Sequence, residues 1–320
     1  MNDLQKTLEA VQKLLSTPTY IEGPILIREN LSGVIDRLTN KETPLRDLFA
    51  RKTGSGEAAS WNILTAIGVG NSAFAEGGTP TEDNATYDRR SAIYKELGKK
   101  KSITDRMLAA GRSFVEQEGE QTEVAIREVI QDEEQFIVTG DATGTPTEFD
   151  GLDNLITTNL TNDNNNALGF RTLILETEVA TLLNTYGVRA TQIVTSYGMK
   201  KAINESLAGD VRVNLDQSNQ IGTGVDVTFF QSMIGKLPFI ATFAIADDSA
   251  TFPSFIVSDI YVLTQNTKGQ DVLYMEDLYT MGKTMLDRTG AAINFMVTEA
   301  TVLVCRAEEM QAIVQNVRIA

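Results

Sequence analysis

Apolar residues at spacings of three and four open the chain. Leu4, Leu8, Val11 and Leu15 share one face of a predicted helix over 1–16, and Thr17-Pro18 ends it. Pro44 suits the first turn of a second short helix over 44–51, with Leu45, Leu48 and Phe49 on one face. The segment before residue 54 has too little apolar surface for a core of its own, so it reads as an arm that lies on something else. Gly54-Ser55-Gly56 then breaks the pattern. Two strand-like runs follow, 59–69 and 86–97. They are separated by GNSAFAEGGTPTEDNA over 70–85, rich in Gly, Ser, Thr, Pro and acids. The pattern predicts a long β-hairpin with a polar tip. A compact domain rarely carries so long an extension without a use for it.

The period then changes. Lys99-Lys100-Lys101 leads into a helical pattern over 103–138, with Ser102 or Thr104 as its cap and Asp105 in its first turn. Gly111 and Gly119 mark a kink or a change of helix. Taken as continuous, its ~36 residues at about 1.5 Å each span roughly 50 Å. The second half (QTEVAIREVIQDEEQFIV) is amphipathic, and Gly140-Asp141-Ala142-Thr143-Gly144 stops it. The rest alternates. A helix is predicted over 170–186, a short strand over 192–195 and a helix over 197–207. Strands and turns follow over 211–246, broken at Gly222-Thr223-Gly224 and Gly235-Lys236. Further strands are predicted over 253–263, 272–278 and 291–305. For 308–319 the periodicity leaves strand and short helix both open. There is no internal repeat, and the fold class is α+β.

Composition narrows the chemistry. The 320 residues suggest one to three domains, with 42% hydrophobic and 22% charged residues, both ordinary for a globular protein. No apolar run is long enough to span a bilayer, and no basic region followed by an apolar one marks a secretory signal. The expectation is therefore no membrane association. Cys305 is the only cysteine, so no internal disulfide forms; inside the apolar run 301–305 it reads as a small buried hydrophobe. One free thiol fits a reducing compartment. The chain has no histidine, which excludes Ser-His-Asp and Cys-His catalysis, HExxH zinc sites and histidine proton shuttles. A net charge of −15 gives no support to broad nucleic-acid binding, which needs a basic face.

The remaining motifs read as structure. Gly282-Lys283-Thr284 resembles the end of a phosphate-binding loop, but Asp277 stands where that loop needs its first glycine. Gly222-x-Gly224 lacks the third glycine of a dinucleotide fingerprint. Asp247-Asp248 reads as a solvated acidic pair rather than a cation site. Carboxylate-pair hydrolysis finds no two acids marked as opposed, and Trp61 is the only tryptophan available to stack on a sugar. No cofactor and no metal are expected. The acidic stretch 116–134 offers local ion pairs such as Glu123 with Arg127, or else a contact surface for lysines of a neighbouring subunit.

The order of elements carries more than any single motif: arm, long hairpin, long helix, a glycine-rich junction, then mixed α/β ending in strands. The junction FIVTGDATGTPTEFDGL (136–152) carries the sharpest likeness. SITDRMLAAGRSF (102–114), Leu237-Pro238-Phe239-Ile240 after Gly235-Lys236, and INFMVTEATVLVCR (293–306) add to it. In this order the chain resembles the major capsid proteins of tailed bacteriophages, whose fold is shared with encapsulins and the floor of herpesvirus shells. The resemblance implies an N-terminal arm over 1–57, an extended hairpin (E-loop) over 58–101, and a long spine helix with the start of the P-domain over 102–160. It implies mainly A-domain over 161–250, and P-domain return strands with the C-terminus over 251–320.

The function so implied is structural and not enzymatic. Pentamers and hexamers build an icosahedral shell around packaged double-stranded DNA, which is enclosed without sequence-specific binding. A portal and a separate scaffolding protein are the implied partners, the latter because only about fifty residues precede the hairpin. The virion is the implied location, with assembly in the host cytoplasm. Some members of the family join a hairpin lysine covalently to a neighbour; Lys95, Lys99, Lys100 and Lys101 lie near the hairpin base here, so no crosslink is expected. The candidate intersubunit contacts are Trp61 with the basic set Arg89, Arg90, Lys95, Lys99, Lys100 and Lys101, facing acids such as Glu123 and Glu128. The rival within the fold is an encapsulin-type compartment shell. The rival outside it is a soluble α/β enzyme or binding module.

Overall fold

The computed structural model describes residues 41–66, 72–80, 82–111, 116–162, 170–208, 227–248, 256–288 and 290–319. The predicted helix over 1–16 and the turn at Gly222-Thr223-Gly224 lie outside them. The first half runs α1 (Pro44–Leu48), β1 (Arg51–Thr53), β2 (Ala58–Ala66), β3 (Thr86–Ile93), β4 (Lys95–Thr104), α2 (Asp105–Gly111), α3 (Gln117–Thr139), α4 (Leu152–Leu155) and β5 (Leu160–Asn162). Then come α5 (Thr172–Thr181), which continues into a π-turn over Leu182–Tyr186, β6 (Gln192–Ser196), α6 (Tyr197–Ala208), β7 (Phe229–Ser232) and β8 (Gly235–Thr242). The chain closes with β9 (Val257–Leu263), β10 (Asn266–Thr267), β11 (Gln270–Asp271), β12 (Leu273–Leu286), β13 (Ala292–Cys305) and β14 (Ala312–Arg318).

A six-stranded sheet, ordered β5-β14-β9-β6-β8-β7, is the centre of one half. Its strands show why they read as apolar runs and not as alternating ones. Ile193, Ile260, Val262, Ala312 and Val314 pack on α5 and α6 with Leu175, Val179, Met199 and Ile203. The residues between them, Val194, Tyr261, Leu263 and Ile313, pack on the other face against Val129, Ile137 and Val138 of α3. Both faces are covered, so both parities are apolar.

The second sheet, β1-β12-β13-β4, is longer and less covered. β12 and β13 pair antiparallel from Leu273↔Cys305 to Leu286↔Asn294. β12 thus extends beyond the predicted end at residue 278. Its outer half is exposed and lacks a clean alternation, so only the ladder with β13 defines it. The ambiguity over 308–319 resolves into a short 3-10 turn, Glu308–Met310, and strand β14.

The hairpin is present but closes earlier than expected. β2 and β3 pair from Ala58↔Ile93 to Leu64↔Tyr87. After Tyr94 the chain changes sheet, and β4 pairs with β13 from Thr301↔Lys95 to Ala292↔Thr104. Lys99, Lys100 and Lys101 therefore lie within a strand and do not lead into a helix. β13 offers an unpaired edge, and tertiary pairing overrides the low strand propensity of three lysines.

The helical region is also divided. α2 ends at Gly111 and α3 starts at Gln117. The backbone N–H of Met107 donates to Thr104 Oγ1 at 3.2 Å, so Thr104 is the cap. Ser102 remains in the strand, opposite Asn294. The 23 residues of α3 make a rod of about 35 Å, not the roughly 50 Å of a continuous helix. Gly119 lies inside its first turns without breaking it.

Gly140 does stop α3, for a reason of space. A Cβ on Gly140 would sit 2.2 Å from the Phe149 carbonyl oxygen; one on Gly151 would sit 2.5 Å from that of Phe136. The two glycines let the chain cross itself closely, with the Gly151 N–H donating to the Gly140 carbonyl at 2.9 Å. Between them Asp141 Oδ1 accepts from the N–H groups of Thr143 and Gly144, both at 2.9 Å. Asp150 accepts from Ala142 N–H at 2.9 Å, and Asn154 donates to the Gly140 carbonyl at 2.6 Å. The Gly-Asp-x-x-Gly pattern is thus a self-bonded crossing in which side chains replace the missing helical partners.

Candidate functional site

The base of the hairpin is fixed and its outer part is not. Trp61 on β2 packs against the main core and donates from Nε1 to the Arg306 carbonyl at 3.0 Å. Its cross-strand neighbour Arg90 grips Glu309 through both guanidinium nitrogens, at 2.6 and 3.4 Å. This paired geometry raises the Arg90 pKa, and the guanidinium stays charged. Beneath the base is a cavity of about 550 Å³ lined by Trp61, Arg90, Phe149, Leu155, Leu303 and Cys305. Burial pushes the Cys305 thiol up to about 12, so at neutral pH it is a protonated, unreactive hydrophobe.

Further out the hairpin buries nothing. Leu64 and Tyr87 lie opposite each other, both exposed, Tyr87 at 71%. Phe74 in the tip is 58% exposed. Arg89, opposite Asn62, points to solvent. A second apolar surface lies on β12. β1 covers it only at Met275–Asp277, and beyond that Leu278, Tyr279 and Met285 are exposed, Met285 at 53%. Singly exposed apolar residues need no explanation, but rows of them on a projecting hairpin and along a sheet edge mark interaction surfaces.

The lysines meet the acidic helix within one chain. The face of β4 carrying Leu97, Lys99, Lys101 and Ile103 turns toward α3, as its alternating burial shows. Lys99 pairs with Asp132 at 2.5 Å, and Lys101 pairs with Glu128 at 2.7 Å. Lys283 of β12 reaches Glu118 at 2.6 Å, and Glu123 pairs with Arg127 one turn on at 2.8 Å. Lys95 donates to the Pro146 carbonyl at 2.5 Å. Only Arg89 and Lys100 of the basic candidates are fully exposed. Their stems and charges are therefore placed differently: the buried-side lysines cover apolar surface and pair at its rim, while these two face outward.

One cluster escaped the sequence reading. Glu133 and Glu134 are fully buried on the apolar stripe of α3. Glu134 accepts from the N–H groups of Leu45 and Arg46 at 3.1 and 2.9 Å, and from Thr242 Oγ1 at 2.7 Å. Burial raises its pKa despite these donors. Glu133 bonds both Arg46 and Arg51. The signal was available: Glu133 follows Val129 by four and precedes Ile137 by four, so it had to share their buried face. Among the described residues no three His, Cys, Asp or Glu side chains converge as a metal site.

A rooted arm, a projecting hairpin with exposed apolar residues and an open sheet edge, all on a domain with two buried cores, define a subunit made to be covered by copies of itself. The class is that of tailed-phage capsid shell proteins. The chain belongs to the SU10 major capsid protein family, whose model matches residues 7–318. Its function is structural, and its copies self-assemble into an icosahedral phage shell, the capsid of the virion.

Solved structures agree in fold. The capsid of a native GTA particle, computed with C5 symmetry, superposes with a TM-score of 0.70 at 12% identity, over 95% of this chain and 99% of that one. The capsid of cyanophage A-1(L) gives 0.67 at 13% identity, over 90% and 97%. The holo-SrpI encapsulin of Synechococcus elongatus PCC 7942 gives 0.64 at 11% identity, over 97% and 96%. No curated protein matches the sequence.

Proposed function

We propose that the subunit forms pentamers and hexamers whose hairpins clasp neighbouring subunits, and that the closed shell encloses double-stranded DNA without enzymatic activity of its own. The exposed apolar row Leu64, Phe74 and Tyr87 supports this reading most directly. Covered by a neighbour, such surface stabilises at roughly 25 cal/mol per Å². Repeated in every subunit, modest contacts give high avidity. The arm corresponds to 1–57 and the paired hairpin to 58–93. The sheet of β1, β12, β13 and β4, with α3, corresponds to the P-domain; the six-stranded sheet, with α5 and α6, corresponds to the A-domain. A separate scaffolding protein and a portal are the proposed partners, and the host cytoplasm the place of assembly. The net charge of −15 suits a wall that must not adhere to packaged DNA. Sedimentation and electron microscopy of the expressed chain test the whole reading. Pentamers, hexamers or shells are expected, and a monomer at every concentration and ionic strength, with or without scaffold, defeats it.

Within this reading Trp61, Arg90 and Lys95 set the angle at which the hairpin leaves its own subunit. Lys99, Lys101, Glu123 and Glu128 frame a charged face, and Arg89 with Lys100 offers cations to a neighbour. Arg89→Glu is expected to slow assembly about two- to five-fold at low salt, equivalent to roughly 0.5–1 kcal/mol per exposed pair, and less at high salt. Its melting temperature should match wild type, since Arg89 touches no core. Unchanged light-scattering kinetics across ionic strengths remove Arg89 from the interface.

The position of the lysines leads to a second expectation. Lys95, Lys99 and Lys101 are held at the hairpin base by partners of their own chain. Particles boiled in detergent are expected to release one band near 35 kDa. A reductant-resistant ladder of multiples would show covalent linkage between subunits.

A further inference from the structure

The segment α1–β1 is the root from which residues 1–40 extend, and it is held by a buried charge cluster. Two cations reach into it. Arg46 of α1 bonds Glu133 of α3 and lies 3.4 Å from Glu299 of β13. Arg51 of β1 bonds Glu133 and contacts both oxygens of Asp277 on β12, at 2.9 and 3.1 Å. Thr301 donates to Asp277 at 2.8 Å. Glu133, Glu299 and Asp277 are all buried. Three carboxylates against two guanidinium groups leave one negative charge in excess, inside the protein. Glu299 Oε1 is buried and has no hydrogen-bond partner among the described residues. A buried, unpaired carboxylate oxygen beside a surplus charge is where a proton resides.

We propose that this cluster is a proton-operated latch: one proton on Glu299 seats α1 and β1 against α3 and the β12–β13 sheet, and its loss loosens that root. The inference stands on the geometry of the single subunit and does not rest on the shell reading. The groups facing Glu299 come from every packed element: Arg46 of α1, Arg51 of β1, Glu133 of α3, and Asp277 and Tyr279 of β12, with Glu96 of β4 beside Tyr279. Burial is the largest influence and raises the Glu299 carboxyl to about 7, helped by Glu133 and Asp277 and opposed by Arg46 and Arg51. Opening the root to water returns it to the ordinary carboxylate range near 4.5. The folded state therefore binds the proton more tightly than the open one. The stabilisation is complete below that ordinary value and is lost as pH rises through about 7. From these two values the closed root is favoured about tenfold more at pH 6 than at pH 8.

Hydrogen exchange on the full chain, corrected for intrinsic rates, tests this on peptides covering 44–53. Wild type is expected to show about tenfold greater protection at pH 6 than at pH 8. Glu299→Gln, a neutral copy of the protonated acid, is expected to give the pH 6 value at both. Asp277→Asn, which removes the surplus charge by another route, should likewise flatten the response between pH 6 and 8, so the test survives if one variant folds poorly. Glu205→Gln, on exposed α6, should keep the wild-type slope. Equal protection of wild type at both pH values overturns the latch, and so does a wild-type slope retained by every folded cluster variant.

Discussion

Replacing residues 70–85 with a two-residue Asn-Gly turn leaves a folded subunit that makes no regular shells. The described part of this tip, 72–80, is exposed throughout, and none of its residues enters either large core. The anchors of the hairpin, Trp61 on the Arg306 carbonyl and Arg90 on Glu309, lie at the other end and remain. Asn-Gly is the turn that two antiparallel strands accept with the correct twist. Calorimetry is expected to show a melting temperature within about 2 °C of wild type, since little buried surface changes. Electron microscopy should show isolated subunits, capsomers or irregular sheets. The loss is large because each shell contact is weak and closure needs all of them in register. Regular shells of wild-type size would show that the tip is not a clasp.

Gly151→Ala should be the most destabilising single methyl in the protein outside the packed cores. The new Cβ meets backbone on three sides: the carbonyl oxygens of Phe136 and Val138 at 2.5 and 2.6 Å, and the Gly140 nitrogen at 2.7 Å. None of these is a side chain that can swing away. Relief requires separating the end of α3 from the chain that crosses it, which breaks the Gly151–Gly140 bond and disturbs Leu152, a fully buried core residue. A cost of about 3 kcal/mol or more is expected, in the range of severe overpacking. Gly144→Ala is the contrast. Its Cβ would meet Asp141 Oδ2 at 2.5 Å, the end of a side chain that can shift, so about 1 kcal/mol is expected. Urea midpoints of the two variants measure the difference. Equal midpoints would mean that the crossing relaxes more easily than its geometry indicates.

The two surfaces of this subunit differ in how legible they were. The hairpin announced itself through a polar, glycine-rich stretch between two strand-like runs, because a projecting element needs no partner in its own chain to define it. The junction after α3 was equally plain, since Gly140, Asp141, Gly144 and Gly151 act through backbone bonds within a dozen residues. The charged face was not. Alternation in 95–104 shows which residues share a side of the strand, but not that β13 would pair with it or that α3 would lie over it. Lys101 and Glu128 are 27 positions apart, and only the packing of α3 on β4 brings them to 2.7 Å.

The sequence by itself determined the α+β class, the arm and hairpin, the stop at Gly140, and the exclusion of histidine chemistry. These follow from local periodicity, backbone sterics and composition, which act over a few residues. Only the tertiary structure decided that Lys95–Thr104 leaves the hairpin for the longer sheet, that the basic candidates Lys99 and Lys101 pair inside their own subunit, and that Glu133, Glu299, Asp277, Arg46 and Arg51 form one buried cluster. Charge pairing and sheet membership depend on which distant segments become neighbours. Burial then multiplies the strength of those contacts, and the linear chain carries neither distance nor depth.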